Sequence, residues 1–245
     1  MRGHTSFRSG NPSLNKNTFK SFSVPSENKM TLDGTVNKTG ISLLLLMITA
    51  TYTWNNPSAG LMAVGGFGGF LVAIFTHFKR HLSPITVPIY SILEGLMLGG
   101  ISSIFEQMYP GIVSQAIFLT FGILGSLLIA YKSGLIKPTE NFKLGIAAAT
   151  GGIFFIYLIS WIMSFFGSSI PLIHSSSTFG IGFSIFVVII AALNLVLDFD
   201  FIEQGAENGA PKYMEWYGAF GLMITLIWLY LEILRLLAKL YSQRN

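Results

Sequence analysis

The chain has 245 residues, of which 15 are Lys or Arg and 11 are Asp or Glu. Charged residues make up 11% of the chain and hydrophobic residues 51%, whereas soluble globular proteins carry about 25% charged residues. A soluble protein of this length would have too few charges to cover its surface, so the composition excludes an ordinary soluble domain. The sequence contains no Cys, which excludes disulfides, thiolate metal sites and a cysteine nucleophile.

The first 38 residues differ in composition from the rest of the chain. They are rich in Ser and Asn, and no apolar run begins before Ile41, so the segment does not have the pattern of a secretory signal. We predict that residues 1–38 form a polar, basic, partly disordered cytoplasmic tail. Residues 39–240 are then the membrane domain, and residues 241–245 are a short C-terminal tail.

Seven long apolar stretches follow the tail, and most reach the ~20 residues that a helix needs to cross a bilayer. They are continuously apolar rather than alternating, which favours helices over a barrel. The predicted spans are Gly40–Tyr52 (extended by Thr53 and Trp54), Ala59–Phe78, Ile85–Phe105, Ile112–Tyr131, Leu144–Phe166, Phe179–Leu197 and Tyr217–Leu237. The predicted fold is an all-α integral membrane protein with seven transmembrane helices.

Two pairs of glycines lie four residues apart on predicted spans, Gly65 with Gly69 and Gly95 with Gly99. Glycines at this spacing share one helix face and let two helices approach closely. We predict that both pairs serve helix packing.

Lys and Arg occur in alternate loops. The basic loops carry Lys79 and Arg80, then Lys132, Lys137 and Lys143, then Lys212. The positive-inside rule places these loops and the N-terminal tail in the cytoplasm. The C-terminal segment does not fit this rule, because seven spans would put it outside although it carries several basic residues.

Carboxylates inside the apolar stretches are the first candidates for function. A charge at the bilayer centre costs at least ~2.5–3.5 kcal/mol, so each one needs a partner, a water cavity or a proton. Glu94 lies in the middle of the third span and must face the bundle interior, either as a hydrogen-bonding anchor or in transport. Asp198 and Asp200 end the sixth span, where they are either hydrated or functional. Asn194 shares a helix face with Asp198, whereas Asp200 points elsewhere.

Glu232 lies in the last span, and two interpretations of it are open. Arg235 follows three residues later and would pair with it locally. Alternatively, Glu232 meets Asp198 across the bundle and the two carboxyl groups share one proton. Such a pair would be a pH sensor that gates a path, and its oxygens would suit a hard cation such as calcium.

The loop between the last two spans is acidic. It carries Glu203, Glu207 and Glu215, which either collect cations at the mouth of a path or keep the loop hydrated. We favour hydration for the loop, and keep Asp200 and Glu203 as the candidates for an ion mouth. His77 and His81 lack a second ligand pattern, so they support a metal site only weakly, and the sequence leaves the metal ligands unknown apart from a calcium path near Asp198 and Glu232.

Two segments late in the chain carry a family resemblance. Leu-Asp-Phe-Asp-Phe-Ile at 197–202 and Tyr-Leu-Glu-Ile-Leu-Arg-Leu-Leu at 230–237 resemble the transmembrane Bax-inhibitor-motif family, bacterial branch. The stretch 93–96 after Tyr90 and the segment 11–15 fit the same family. Asp198 matches the family's acid at the end of its sixth helix. Glu232 stands where the family's second acid is usually Asp.

The resemblance implies a seven-helix bundle with the last helix at its centre. It implies a pH-sensitive calcium leak, which we place in the bacterial inner membrane with the N-terminus cytoplasmic. Asp198 and Glu232 would be the sensor and gate, and Arg80, or else Lys79, would lock them. Within the membrane, Glu94 and Asn194 are the polar groups that would support this site.

Other functions stay open at this point. The chain could be a non-conducting scaffold that acts through partner proteins and its N-terminal tail, or a proton-coupled carrier. An intramembrane protease is disfavoured, because the Gly-x-Gly-Asp and Gly-x-Ser-Gly patterns are absent, and we expect no enzymatic activity. We expect no cofactor and no nucleic-acid partner; calcium would be the transported species and the lipid bilayer the surroundings.

Overall fold

The structure is a computed structural model that describes residues 28–167, 173 and 175–244. Seven long α-helices account for most of this part of the chain. They are α1 (Leu32–Asn55), α2 (Ala59–Phe78), α3 (Ser83–Met108), α4 (Ile112–Lys132), α5 (Glu140–Phe165), α6 (Thr178–Glu207) and α7 (Met214–Arg244), with a 3-10 turn at Arg80–Leu82. In the described residues, β structure is limited to an isolated antiparallel bridge between Lys29 and Pro211. The prediction of an all-α protein is confirmed.

Six described helices, α2 to α7, are long and apolar enough to cross a membrane. The sequence of α1 is interrupted by threonines and by Lys38, so a seventh span stays a prediction. Two boundaries differ from those expected. Helix α1 begins at Leu32 and α7 continues to Arg244, so part of each predicted tail is helical. Residues 1–27, most of the predicted N-terminal tail, lie outside the described residues.

Hydroxyl side chains begin several of the helices. A side-chain oxygen accepts a hydrogen bond from the backbone N–H three residues later, which satisfies an N–H that has no partner inside the helix. The residues that do this are Thr31, Ser58, Thr139 and Ser177. Helix α4 begins differently, because Glu106 reaches over from α3 and accepts hydrogen bonds from the N–H groups of Gly111 and Val113.

The helices define two ends of the bundle. At the proximal end lie the start of α1 and the α2–α3, α4–α5 and α6–α7 turns. A hydrogen bond of 2.8 Å from Ser83 to the carbonyl of Tyr213 joins two of these turns. The distal end holds the remaining turns and the last residues of α7, where Gln115 donates a hydrogen bond of 2.8 Å to the Tyr241 hydroxyl.

Helices α3 and α7 are the most buried. In each, 56% of the most apolar segment is buried, against 17% in α2 and α5. Glycines let α1 and α2 approach α3: a Cβ atom at Gly65 would lie 2.5 Å from the carbonyl oxygen of Leu93, and Cβ atoms at Gly95 and Gly99 would overlap the backbone of α1. The packing role predicted for these glycines is confirmed. Helix α7 packs against α1, α3, α4 and α6.

Candidate functional site

A row of polar side chains runs along the contact between α5, α6 and α7. We call it the polar seam; its members are Thr150, Tyr157, Ser184, Asn194, Asp198, Thr225, Glu232, Arg235 and Lys239. On α7, Thr225, Glu232 and Lys239 follow each other at intervals of seven residues, which is about two turns and ~10 Å per interval. They therefore share one face of α7, and the seam extends along about half of that helix.

Asp198 lies in the proximal part of the seam and faces α7. The hydroxyl of Thr225 interacts with its carboxyl group, and a Cβ atom at Gly221 would lie 3.4 Å from its Oδ1. Its Oδ2 is buried and has no hydrogen-bond partner among the described residues. An ionised carboxylate in such surroundings is strongly destabilised unless a cation joins it. Asp198 therefore requires either a proton or a cation.

Glu232 lies further along α7, and both of its carboxylate oxygens have partners. The hydroxyl of Tyr157 on α5 donates to both carboxylate oxygens at 3.0 and 3.1 Å. Arg235 Nη1 lies 2.9 Å from Glu232 Oε1 and also donates to the Tyr157 hydroxyl at 2.9 Å. The Glu232 side chain is 3% exposed and that of Arg235 is 41% exposed. The carboxylate is therefore buried and neutralised within its own helix.

The structure does not bring Asp198 and Glu232 together. Asp198 lies beside Thr225, which precedes Glu232 by about 10 Å along α7. No hydrogen bond between the two carboxyl groups is found in the described part of the chain. Of the two interpretations of Glu232, the local pair with Arg235 is the one that forms.

The two basic residues predicted to lock the acids lie at the proximal end. The guanidinium of Arg80 lies over the ring of Tyr217, 5.1 Å from its centroid, and Lys79 is exposed at the end of α2. Tyr217 precedes Glu232 by fifteen residues, or about 22 Å of helix, so neither base reaches Glu232. Within residues 28–167, 173 and 175–244, neither base forms an ion pair with Asp198, and the predicted lock contact is absent.

The two residues predicted to support the site are placed differently. Glu94 is 7% exposed, as expected for a side chain facing the interior, but it lies on the opposite side of the bundle. There a Cβ atom at Gly69 of α2 would lie 2.5 Å from its Oε1, and its Oε2 has no partner among the described residues. Asn194 belongs to the polar seam, since its amide donates to the Thr150 hydroxyl of α5 at 2.8 Å.

The candidate ion-mouth residues at the proximal end have protein partners. Asp200 forms an ion pair of 2.7 Å with Lys143 of α5 and accepts a hydrogen bond from Gln204. Glu203 accepts a hydrogen bond from the hydroxyl of Tyr131 on α4. In the described chain, no group of three or more His, Asp or Glu side chains is arranged to hold a metal ion. A role for these acids at an ion mouth stays a prediction.

Sequence reasoning missed the role of Glu215. It was expected to be hydrated in the loop, and this is wrong: it is 1% exposed and accepts hydrogen bonds from the backbone N–H and the hydroxyl of Thr31, at 3.1 and 2.9 Å. Lys38 lies 3.8 Å from its other oxygen. The start of α1 is thus fastened to the start of α7. The two partners are 184 residues apart, so no local pattern could have indicated the contact.

The basic residues near the C-terminus did not fit the loop-charge pattern, and the structure accounts for two of them. Arg235 pairs with Glu232. Lys239 is 6% exposed and bonds to the start of α6. Both residues therefore bond to other groups of the bundle, Lys239 while buried and Arg235 while partly exposed, and neither belongs to a charged tail.

Comparison with known proteins gives one match. A family model described as Bax inhibitor 1 like matches residues 11–242, which is almost the whole chain. No curated protein and no solved structure gives a significant match. The predicted family is confirmed, and its bacterial branch stays a prediction.

Proposed function

The chain belongs to the Bax inhibitor 1 like family, and from this premise we propose that it is a pH-sensitive calcium leak. In this proposal all seven helices span the membrane and α7 is the central one. Calcium crosses along the polar seam between α5, α6 and α7. The basic turns at the proximal end favour an orientation with that end in the cytoplasm, and we propose the bacterial inner membrane as its location.

The observation that carries the proposal is the Asp198 carboxyl group. One of its oxygens is buried without a partner in the described chain, inside a helix apolar enough to span a membrane. Carboxylate and hydroxyl oxygens are ligands that calcium prefers, and Asp198 and Thr225 present both kinds side by side. When protonated, Asp198 is neutral and offers no charge to a divalent cation. When deprotonated, it attracts the cation, so the flux should rise with pH.

Glu232 has a different role in the proposed mechanism. Glu232 lies about 10 Å beyond Thr225, the residue beside Asp198. The two acids therefore act as separate cation-binding groups and do not share one proton. Arg235 and the Tyr157 hydroxyl already neutralise and bind Glu232. Arg235 therefore takes the lock role that the family resemblance had suggested for Arg80 or Lys79. A passing cation would have to displace its guanidinium from the carboxylate.

The test is calcium flux into proteoliposomes between pH 6 and pH 8. For the wild type we expect a flux that rises with pH, and for Asp198→Asn a low flux with no pH dependence. Asp200→Asn is the matched control, because it removes a carboxylate two residues away that is paired with Lys143 at the proximal end. It should keep the wild-type pH dependence. If no variant exceeds the flux into empty liposomes at any pH, the leak proposal is wrong.

The same vesicles distinguish the alternatives. A proton flux that depends on Asp198, without calcium flux, would indicate a proton-coupled carrier. The absence of both fluxes would favour a scaffold that acts through partner proteins. One contact favours this alternative: just after residue 27, the backbone N–H of Met30 donates a hydrogen bond to the carbonyl of Ala210 in the α6–α7 turn. The described chain thus begins at the proximal end of the bundle, beside the start of α7.

A further inference from the structure

Lys239 lies buried at the distal end of the polar seam and is bonded to three oxygens. Its ammonium nitrogen is 2.7 Å from the carbonyl oxygen of Ile173, 3.0 Å from that of Gly180 and 2.8 Å from the hydroxyl of Ser184. An ammonium has three hydrogens to donate, and each has an acceptor here. All three acceptors are neutral.

The charges around Lys239 do not neutralise it. Among the residues that the structure describes, the charged groups close enough to interact with it are Arg235 and Glu232, and Glu232 is already paired with Arg235. The described charges at this end of the seam are therefore two cations and one carboxylate. Lysines are almost never fully buried unless they are paired, so a buried lysine held by neutral oxygens needs an explanation.

The orientation of the side chain excludes the usual explanation. A lysine near the end of a spanning helix normally extends along its four-carbon stem to place its charge in water. Lys239 lies five residues from the end of α7, well placed to do so. Instead its ammonium turns inward to Ser184 and Gly180, near the first residues of α6. It lies on the same face of α7 as Glu232 and Thr225.

We propose that the Lys239 ammonium is a tethered cation that closes the distal end of the seam. It occupies a site of carbonyl and hydroxyl oxygens, the kind of ligand set that replaces the hydration shell of an ion in a selective pore. A permeating divalent cation meets a fixed positive charge there, and repulsion between like charges is strong in surroundings of low dielectric. This inference rests on the proposed leak and adds a second barrier to it, beyond Arg235.

The absence of Cys from the chain allows a specific test with Lys239→Cys. Removing the fixed charge should raise calcium flux at pH 7 about tenfold. The introduced thiol is then treated with aminoethyl methanethiosulfonate, whose sulfur it attacks to form a disulfide while methanesulfinate leaves. The attached aminoethyl group restores a cation of nearly lysine length and should return the flux to the wild-type value. Methyl methanethiosulfonate adds a neutral group in the same reaction and should leave the flux high.

Three controls separate charge from packing. Lys137→Cys changes an exposed lysine in the α4–α5 turn and should behave as wild type with both reagents. Lys239→Arg keeps the charge and should keep the low flux. Ser184→Ala removes one acceptor but leaves the ammonium, so its flux should rise by less than about threefold, the effect of one membrane hydrogen bond.

Three different results would contradict either the barrier formed by Lys239 or the proposed calcium leak. Equal leakage of calcium and of an anionic dye from Lys239→Cys vesicles would mean a disrupted bundle and no charge barrier. An unchanged calcium flux in Lys239→Cys, with a normal pH-dependent wild-type flux, would reject the proposed Lys239 barrier and would leave the proposed leak unaffected. A wild type without flux would instead reject the proposed function itself.

Discussion

Two sides of the bundle are built from contrasting contacts. On the side of α1, α2 and α3, which we call the close-packed side, helix backbones meet directly at glycines such as Gly65 and Gly99. On the side of α5 and α6, the polar side, a Cβ atom added at Gly145, Gly152 or Gly182 would have no atom within 4 Å. These three glycines are exposed, and the helices of this side are joined by polar side chains of the seam and by a buried apolar cluster that includes Ile153 and Val187. Glycines therefore mediate helix contact on the close-packed side and do not do so at these positions of the polar side.

The contrast extends to the space between the helices. A cavity of about 440 Å³ lies between α1, α3, α4 and α7, and its lining is apolar. Its hydroxyl groups are bonded within the protein: Ser102 and Tyr230 lie 2.6 Å apart, and Thr120 donates to the carbonyl of Ala116. The described residues that line this cavity include no Asp, Glu, His, Lys or Arg, so it offers a cation no carboxylate ligand. The proposed calcium path is therefore placed on the polar side, although Glu94 is a buried acid on the close-packed side.

Helix α7 belongs to both sides, and this suggests how they cooperate. One face packs on α3 through Phe220, Met223 and Ile227, and another presents Thr225, Glu232 and Lys239 to the seam. Direct backbone contact leaves α1 to α3 no room to shift. Hydrogen bonds between side chains can break and re-form while the helices stay in place. We therefore expect stability to depend on the close-packed side and flux to depend on the polar side.

The largest effect should come from enlarging a glycine on the close-packed side. Gly99→Leu forces a side chain into the backbone of α1, which cannot yield, so we expect a loss of more than ~3 kcal/mol and little folded protein. Gly152→Leu on α5 adds the same side chain where nothing lies within 4 Å and should be tolerated. Thermal unfolding in detergent checks the pair. Similar melting temperatures for both variants would contradict the contrast between the two sides.

A second large effect should come from Glu215, which holds the starts of α1 and α7 together. Glu215→Ala removes a buried acceptor of two hydrogen bonds from Thr31, and should cost ~2–3 kcal/mol, since hydrogen bonds to charged groups are strong. It should also speed proteolysis near residues 28–31. Glu207→Ala, an exposed acid at the same end, is the control and should change neither. Unchanged stability in Glu215→Ala would mean that this fastening is unimportant.

Arg235→Gln tests the polar side and should affect flux more than stability. It leaves Glu232 without its cation, and because the Arg235 side chain is 41% exposed we expect a loss of only ~1–2 kcal/mol. Calcium flux at neutral pH should rise several-fold, because the carboxylate becomes available to the ion. Arg80→Gln removes a guanidinium that lies over Tyr217 and should leave the flux unchanged. A rise in Arg80→Gln alone would restore the original lock assignment.

Some of the features that these variants test could be predicted from the sequence, and others could not. The apolar stretches and the glycine pairs are local patterns, so short segments were enough to predict them. The Glu232–Arg235 pair at i and i+3 is also local, but the sequence left it as one of two interpretations of Glu232. The predicted contact between Asp198 and Glu232 depended on the register of α6 relative to α7, that is, on which residues of the two helices lie at the same height. That register is set by the α6–α7 turn and by packing, and an error of two turns displaces a contact by about 10 Å.

The remaining differences come from partners distant in sequence. Glu215 resembled a hydrated loop acid because Thr31 lies 184 residues away. Lys239 resembled a tail charge because its acceptors belong to α6 and the segment before it. The solvent exposure of a charged residue cannot be inferred from its neighbours in sequence when helices distant in sequence pack against it. For both residues, burial became visible only in the folded chain.

The smallest and most direct comparison removes one hydroxyl from each side. Tyr230→Phe breaks the contact with Ser102 on the close-packed side, and Tyr157→Phe breaks the contacts with Glu232 and Arg235 on the polar side. Each should cost ~0.6–1 kcal/mol, as for other hydrogen bonds within membranes, which corresponds to a fall of about 1–4 °C in melting temperature.

Only the flux should tell these two variants apart. Loss of the Tyr157 hydroxyl loosens the hold on Glu232, and one such hydrogen bond corresponds to about a threefold rise in rate. Tyr230→Phe leaves every member of the seam in place and should keep the wild-type calcium flux at all pH values between 6 and 8. Equal fluxes in the two variants would mean that the seam is not the path. A changed flux in Tyr230→Phe would point instead to the apolar cavity between α1 and α4.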